Sequence, residues 1–99
     1  MASESWMLGQ ERIRAARRRT LEIRTITVSL RIAMDELEAN HDLPLDRRIA
    51  LRREWCARAN QLLADVRGRT QPNPTAARTW LGQLTAAEEE IRRQQARIA

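Results

Sequence analysis

Cys56 and His41 are the two side chains that could act as a nucleophile and its base, and each is the single residue of its type in the sequence. His41 lies in a predicted turn between Asn40 and Asp42, whereas Cys56 follows Trp55 on the apolar face of a predicted helix. A thiol–imidazole pair needs a third group that orients the base, and the sequence offers none. We therefore predict that Cys56 is a small buried hydrophobic side chain and that His41 is solvated or locally hydrogen-bonded.

No metal or cofactor site is evident in the sequence. One histidine and one cysteine do not supply the ligand spacing of a zinc site, and no glycine-rich loop is present to hold a phosphate. The acidic run 88–90 lies on the third predicted helix, where Glu88 and Glu89 each have an arginine four residues later, the spacing of a stabilising ion pair. We therefore predict no enzyme, no catalytic residue, no cofactor, no metal and no small-molecule ligand.

All 18 basic residues are arginine, and the formal net charge is +5. The densest arginine run lies on the first predicted helix and allows two interpretations. One is a solvated surface, because the run covers more than one side of the helix. The other is contact with a nucleic-acid phosphate backbone, which does not depend on base sequence and weakens with salt. The possible nucleic-acid contacts are Arg12, Arg17, Arg18, Arg19 and Arg24.

Two clusters of turn-forming residues, at 40–44 and 68–74, divide the chain into three segments. They predict a single all-α domain over 1–99, a three-helix bundle of antiparallel helices with a long first helix. Within the second cluster, Gly68 is suited to end a helix and Asn73 to cap the next one. The predicted helices cover about residues 4–40, 45–67 and 74–98.

The first segment keeps one heptad register along its whole length, as in a coiled coil. Its second half, from Ile23 to Leu37, has large apolar residues at the a and d positions and should be the more deeply packed half. Further apolar residues should broaden the face of that half: Leu21, Ile26, Val28 and Ile32. The N-terminal half has few large apolar groups, so we expect another chain or another copy to cover it. The predicted protein interface consists of Trp6, Gly9, Ile13 and Ala16.

A competing interpretation of the same segment is a β-strand. Residues 25–32 alternate polar and apolar side chains and are rich in β-branched residues. A strand followed by two helices resembles the ribbon-helix-helix family of bacterial and phage repressors, over about Ile23 to Leu63. That resemblance implies a dimer whose paired strands enter the major groove of DNA, with Thr25, Thr27 and Ser29 facing the bases.

The sequence also predicts where the protein is located and what kind of function it has. The N-terminal apolar run Trp6–Leu8 is too short for a signal peptide, and no stretch has the roughly 20 apolar residues of a membrane span, so we expect a cytoplasmic protein without membrane contact. The absence of Lys, Phe and Tyr indicates a GC-rich genome, bacterial or phage. The expected function is a non-enzymatic helical protein-interaction module, self-associating or bound to a protein partner, in a small regulator or assembly accessory. The alternative is a dimeric DNA-binding regulator.

Overall fold

The computed structural model describes the backbone of residues 2–69 and 74–97, and the side chains from residue 6 onward within these ranges. The predicted cap Asn73 and the predicted last helical residue Ile98 lie outside the described residues. The predicted all-α architecture with a long first helix is confirmed. The helices are α1 (Ala2–Ala39), α2 (Leu45–Arg67) and α3 (Pro74–Ala96).

Proline and glycine mark the two ends of α2. Pro44 precedes its first residue, and the N–H of Arg48 donates to the Pro44 carbonyl oxygen at 3.0 Å. Gly68 follows its last residue, and the Gly68 N–H donates to the carbonyl oxygen of Ala64 at 3.0 Å. Gly68 keeps right-handed backbone angles, so it ends the helix without the left-handed turn that is common at helix C-termini.

Residues 25–32 belong to α1, so the strand interpretation is wrong. A helix pairs the backbone polar groups of this segment internally, whereas a strand would need a second strand beside it, and the described part of the chain contains none. The Thr27 hydroxyl donates to the carbonyl oxygen of Ile23 at 2.9 Å, so this polar side chain is satisfied within the helix. The ribbon that the repressor resemblance requires is therefore not formed.

Side-chain contacts near both ends of α2 show how the helices run. Arg52, in the first half of α2, donates to Glu38 near the end of α1 and to Gln94 near the end of α3, at 2.8 Å in each case. Arg69, just after α2, pairs with Glu22 in the middle of α1. The helix α2 therefore runs antiparallel to both neighbours, and α1 and α3 run parallel to each other.

Buried side chains from all three helices form one core. Trp80 of α3 is fully enclosed, as are Leu63 and Cys56 of α2. The buried residues of α1 among the described side chains keep the predicted heptad register and lie in its second half, which confirms that this half is the more deeply packed. They are Ile23, Leu30, Met34 and Leu37.

Candidate protein-interaction surface

The helix α1 extends beyond the bundle at its N-terminal end. It has 38 residues, whereas α2 and α3 have 23 each. One ion pair joins Arg31 of α1 to Glu90 of α3, and another joins Glu38 of α1 to Arg97, just after α3. In each pair the two residues are 59 positions apart along the chain. The same offset places Pro74, the first residue of α3, beside Ala15. Residues 2–14, which we name the N-terminal arm, therefore project past the start of α3 by about 20 Å at 1.5 Å per residue.

Large apolar side chains are exposed on the N-terminal arm. Trp6 is 67% exposed, and each of the two residues after it is more than half exposed. Ile13, about two turns further along, is 36% exposed. Gly9 and Ala16 are half-buried, and a methyl group added at Gly9 would meet no atom within 4 Å. Trp6, Gly9 and Ile13 thus lie on the part of α1 that projects past α2 and α3, whereas Ala16 lies at its base, level with the start of α3.

The arginines considered as nucleic-acid contacts do not share one side of α1. At about 100° per residue, residues seven positions apart share a side. Arg12 therefore shares a side with Arg19. Arg17 shares another side with Arg24, and Arg18 lies on a third. Arg19 is half-buried, and its Nε and Nη1 atoms are enclosed without a hydrogen-bond partner, whereas the other four side chains are exposed and form no ion pair with any described residue.

A second exposed apolar surface lies on α1, and the sequence analysis missed it. Leu21, Val28 and Ile32 are 63%, 46% and 54% exposed, so the expectation that they broaden the packed face is wrong for these three; Ile26 does pack against the core. The reason is angular: at about 100° per residue, the three lie roughly 160° around the helix from Ile23. The same calculation on the sequence would have separated them from the core.

The two glutamates expected to pair with an arginine four residues later form different contacts or none. Glu88 pairs with Arg67 at the end of α2. The ion pair within the described part of α3 joins Glu90 to Arg93, three residues later. Glu90 also accepts a hydrogen bond from the amide of Gln94 at 3.2 Å. Hydrogen bonds from Gln94 and Arg93 hold the pKa of Glu90 below its ordinary value.

Cys56 and His41 are not brought together. The Cys56 side chain is fully buried, whereas His41 is exposed in the turn between α1 and α2. Burial raises the pKa of the Cys56 thiol, and the nearby positive charge of Arg52 acts in the opposite direction. The prediction that Cys56 is buried is confirmed, and no thiol–imidazole pair is formed.

Within residues 2–69 and 74–97, no group of three His, Cys, Asp or Glu side chains is arranged to hold a metal ion. In the same ranges, none of the helices combines the length and the apolar character needed to cross a bilayer. Comparison of the chain with protein-family models, with curated proteins and with solved structures found no match.

Proposed function

We propose that this chain is a non-enzymatic helical protein-interaction module, and that its contact surface is the N-terminal arm together with Ala16, which follows the arm on α1. The observation that carries the proposal is the position of Trp6, which is 67% exposed on a part of α1 beyond the reach of α2 and α3. A tryptophan that becomes buried on association contributes a large apolar area, and tryptophans dominate the energetics of many interfaces. Another copy of the chain or a different protein would supply the cover.

The residues around Trp6 suit helix–helix contact. Gly9 and Ala16 are small, and no atom lies within 4 Å of a methyl group built at Gly9, so another helix has room to approach the backbone. Ile13 supplies a second apolar contact between them. Most of the stability of helices in proteins comes from packing of an apolar face, and the arm lies beyond the helices that pack on the rest of α1. Association would therefore stabilise the arm as well as bury its apolar side chains.

The test is Trp6→Ala, with association measured by sedimentation velocity from low to high micromolar concentration. The expected result is weaker association with unchanged circular dichroism of the bundle, because Trp6 does not contribute to the core. Leu45→Ala is the matched control, since Leu45 is 65% exposed but lies at the start of α2. Equal behaviour of the wild type and Trp6→Ala would contradict a role of Trp6 in self-association.

Binding to a nucleic-acid phosphate backbone is a second candidate function. The observation that favours it is the density of exposed arginines on α1 that form no ion pair with any described residue, since five of them lie between positions 12 and 24. Exposed guanidinium groups without an acidic partner are available to phosphates, and each phosphate contact releases counterions on binding. The members of this set are Arg12, Arg14, Arg17, Arg18 and Arg24.

This candidate is tested by the fluorescence anisotropy of a labelled DNA duplex at several salt concentrations. Replacing Arg17, Arg18 and Arg24 with glutamine should lower the affinity and reduce the slope of log affinity against log salt by roughly 3 if all three residues contact phosphates. The matched control replaces Arg47, Arg53 and Arg58 of α2, which are also exposed. Absence of binding by the wild type at low salt, or the same loss in both triple variants, would contradict the candidate.

The expectation of a cytoplasmic bacterial or phage regulator, or of an accessory to an assembly, is part of this proposal. Its support is the composition of the sequence: 18 basic residues that are all arginine, no Phe and no Tyr. Both roles would use the same surface, because each requires only that the chain recognise another protein.

A further inference from the structure

The outer face of α1, defined by Leu21, Thr25, Val28 and Ile32, lies between the groove that α1 forms with α2 and the groove that it forms with α3. All four residues are exposed. At about 100° per residue, the three aliphatic side chains fall within about 40° of one another, so they form a single row along the helix. An aliphatic row on the side of a helix opposite its own core is a surface that another helix can cover.

Four charged side chains lie at the ends of the two edges of the outer face. Arg17 and Asp35 lie along one edge, because they are 18 residues apart, which is five full helical turns. Arg18 and Glu36 lie along the other edge for the same reason. All four side chains are exposed, and none forms an ion pair or a side-chain hydrogen bond with another described residue. Each edge therefore carries a free positive charge near one end and a free negative charge near the other. The edge of Arg17 carries a further free positive charge near its middle, because Arg24 shares that side of α1 and is also exposed without an ion pair.

The apolar centre of the outer face is suited to a second copy that runs antiparallel. A two-fold axis between positions 26 and 27 sets Leu21 of one copy opposite Ile32 of the other. The same axis sets Thr25 opposite Val28. Each aliphatic side chain then meets a side chain of the second copy, and the row is covered along its whole length.

The same antiparallel arrangement brings opposite charges together at both edges. A two-fold axis of this kind places each edge against the same edge of the second copy, reversed in direction. Arg17 then lies beside Asp35 of the second copy. Arg18 lies beside Glu36 of the second copy. Because the symmetry repeats each contact, four ion pairs border the apolar centre. Arg24 of one copy lies near Arg24 of the second copy on the same edge, and this like-charge contact reduces the net electrostatic gain.

A parallel arrangement of two copies has the opposite electrostatic result. In that case the edge with Arg17 and Asp35 lies beside the edge with Arg18 and Glu36 of the second copy, and the two helices run in the same direction. Arg17 therefore faces Arg18 of the second copy. Asp35 likewise faces Glu36 of the second copy. Like charges in direct contact oppose association, so the charge pattern selects the antiparallel arrangement.

We propose that two copies of this chain form a symmetric antiparallel dimer through the outer face of α1. This dimer goes beyond the proposed function, because it uses a different side of α1 and does not depend on Trp6. One helix face per copy is a small contact area, so the dimer is weak and depends on concentration. In the dimer, the N-terminal arm of each copy extends past the end of the other copy's α1 and stays available to a further partner.

The test reverses the charges in pairs. One double variant carries Arg17→Glu with Arg18→Glu, and the other carries Asp35→Arg with Glu36→Arg. Each should weaken dimerisation by about tenfold or more, because all four ion pairs become like-charge contacts. Sedimentation velocity over a concentration series measures the dimer, and circular dichroism checks that each variant keeps its helices.

The decisive measurement combines the two double charge reversals, either in a mixture of the two variants or in one chain. An equimolar mixture of the two double variants should regain dimers, and the variant with all four reversals should regain homodimers, because both restore every ion pair. The control reverses Arg53 and Glu54, two exposed neighbours on α2, and should dimerise as the wild type does. A monomeric wild type at high micromolar concentration, or dimerisation that the reversals leave unchanged, would overturn the proposal.

The outcomes separate this dimer from the proposed function. Association that is lost on reversal of Asp35 and Glu36 but kept in Trp6→Ala supports the outer-face dimer and not self-association through the arm. The opposite result supports the arm and overturns the outer-face dimer. Reversal of Asp35 and Glu36 also leaves the arginines of α1 in place, so nucleic-acid binding does not account for its effect.

Discussion

Arg52 of α2 and Gln94 of α3 are joined by a hydrogen bond of 2.8 Å from Nη1 to Oε1, at a place where the Arg52 side chain is only 11% exposed. The second terminal nitrogen of the same guanidinium donates to Glu38 of α1, also at 2.8 Å. One planar side chain therefore links all three helices. A hydrogen bond to a charged group in partly buried surroundings contributes more to stability than a surface ion pair does.

Replacing Arg52 with methionine should destabilise the bundle. Arg52→Met removes both hydrogen bonds and leaves Oε1 of the buried Gln94 without its donor, at an expected cost of about 1–3 kcal/mol in the free energy of unfolding. Chemical denaturation measures this cost. Arg53→Met is the control, since Arg53 is exposed and should change stability by less than about 0.5 kcal/mol. Equal effects of the two substitutions would show that the link adds nothing.

Cys56 should set the alkaline limit of stability. The sequence has no Lys and no Tyr, so Cys56 is its only side chain that titrates between about pH 8 and 11. Because burial raises the pKa of this thiol in the folded state, the unfolded chain loses its proton first as the pH rises. The contribution of Cys56 to the free energy of unfolding should therefore be constant below about pH 8.5 and fall above it, until the pH reaches the folded pKa.

Denaturation at a series of pH values measures this dependence, and Cys56→Ala is the comparison. The alanine variant should be less stable at neutral pH, because it leaves a cavity in the core, yet its stability should stay level through the same alkaline range. A parallel decline in the two proteins would assign the effect to another group.

Glu90 should contribute to the loss of stability in acid. Hydrogen bonds from Gln94 and Arg93, helped by the positive charge of Arg31, lower the pKa of Glu90 in the folded state. The unfolded chain therefore takes up the proton first as the pH falls below the ordinary value of about 4.3, and stability that is present above that value is lost through the folded pKa. In Glu90→Gln the decline in acid should be smaller than in the wild type.

Thermal denaturation between about pH 6 and pH 3 provides the comparison for Glu90. Glu89→Gln is the matched control, since Glu89 is exposed and forms no ion pair among the described residues. If the two variants had the same acid profile, the contacts of Glu90 would not be the cause.

Replacement of Trp80 by a smaller side chain should affect the stability of the bundle differently from replacement of Trp6. Trp80 is fully buried and its indole N–H has no hydrogen-bond partner among the described residues, whereas Trp6 is exposed. Alanine at a fully buried tryptophan costs about 3–5 kcal/mol, which is close to the whole stability of a small domain. The measurable variant is therefore Trp80→Phe, which keeps an aromatic ring and removes the unpaired N–H.

Thermal denaturation at low protein concentration should show a lower melting temperature for Trp80→Phe and almost no change for Trp6→Ala. Low concentration keeps association from contributing to the result. A large loss of stability in Trp6→Ala under these conditions would mean that Trp6 packs on its own bundle.

Most of the secondary structure could be predicted from the sequence, because helix periodicity and turn residues act over short distances. The heptad register alone predicts that Ile23, Leu30 and Leu37 are buried, and all three are buried in the structure. Pro44 and Gly68 marked the ends of α2 for similarly local reasons. The strand interpretation of 25–32 failed because alternation in a short segment does not specify whether a pairing strand exists.

The sequence by itself determined the helices, their turns and the buried row of α1, since each of these follows from residues that are neighbours along the chain. The angles of Leu21, Val28 and Ile32 around α1 also follow from the sequence, but the tertiary structure determines that neither α2 nor α3 covers their side of the helix. The tertiary structure also determines that Glu88 pairs with Arg67 rather than within its own helix. Burial and ion pairing depend on the length, offset and direction of α2 and α3 relative to α1. These relations are set jointly by the two turns and by the core that all three helices share.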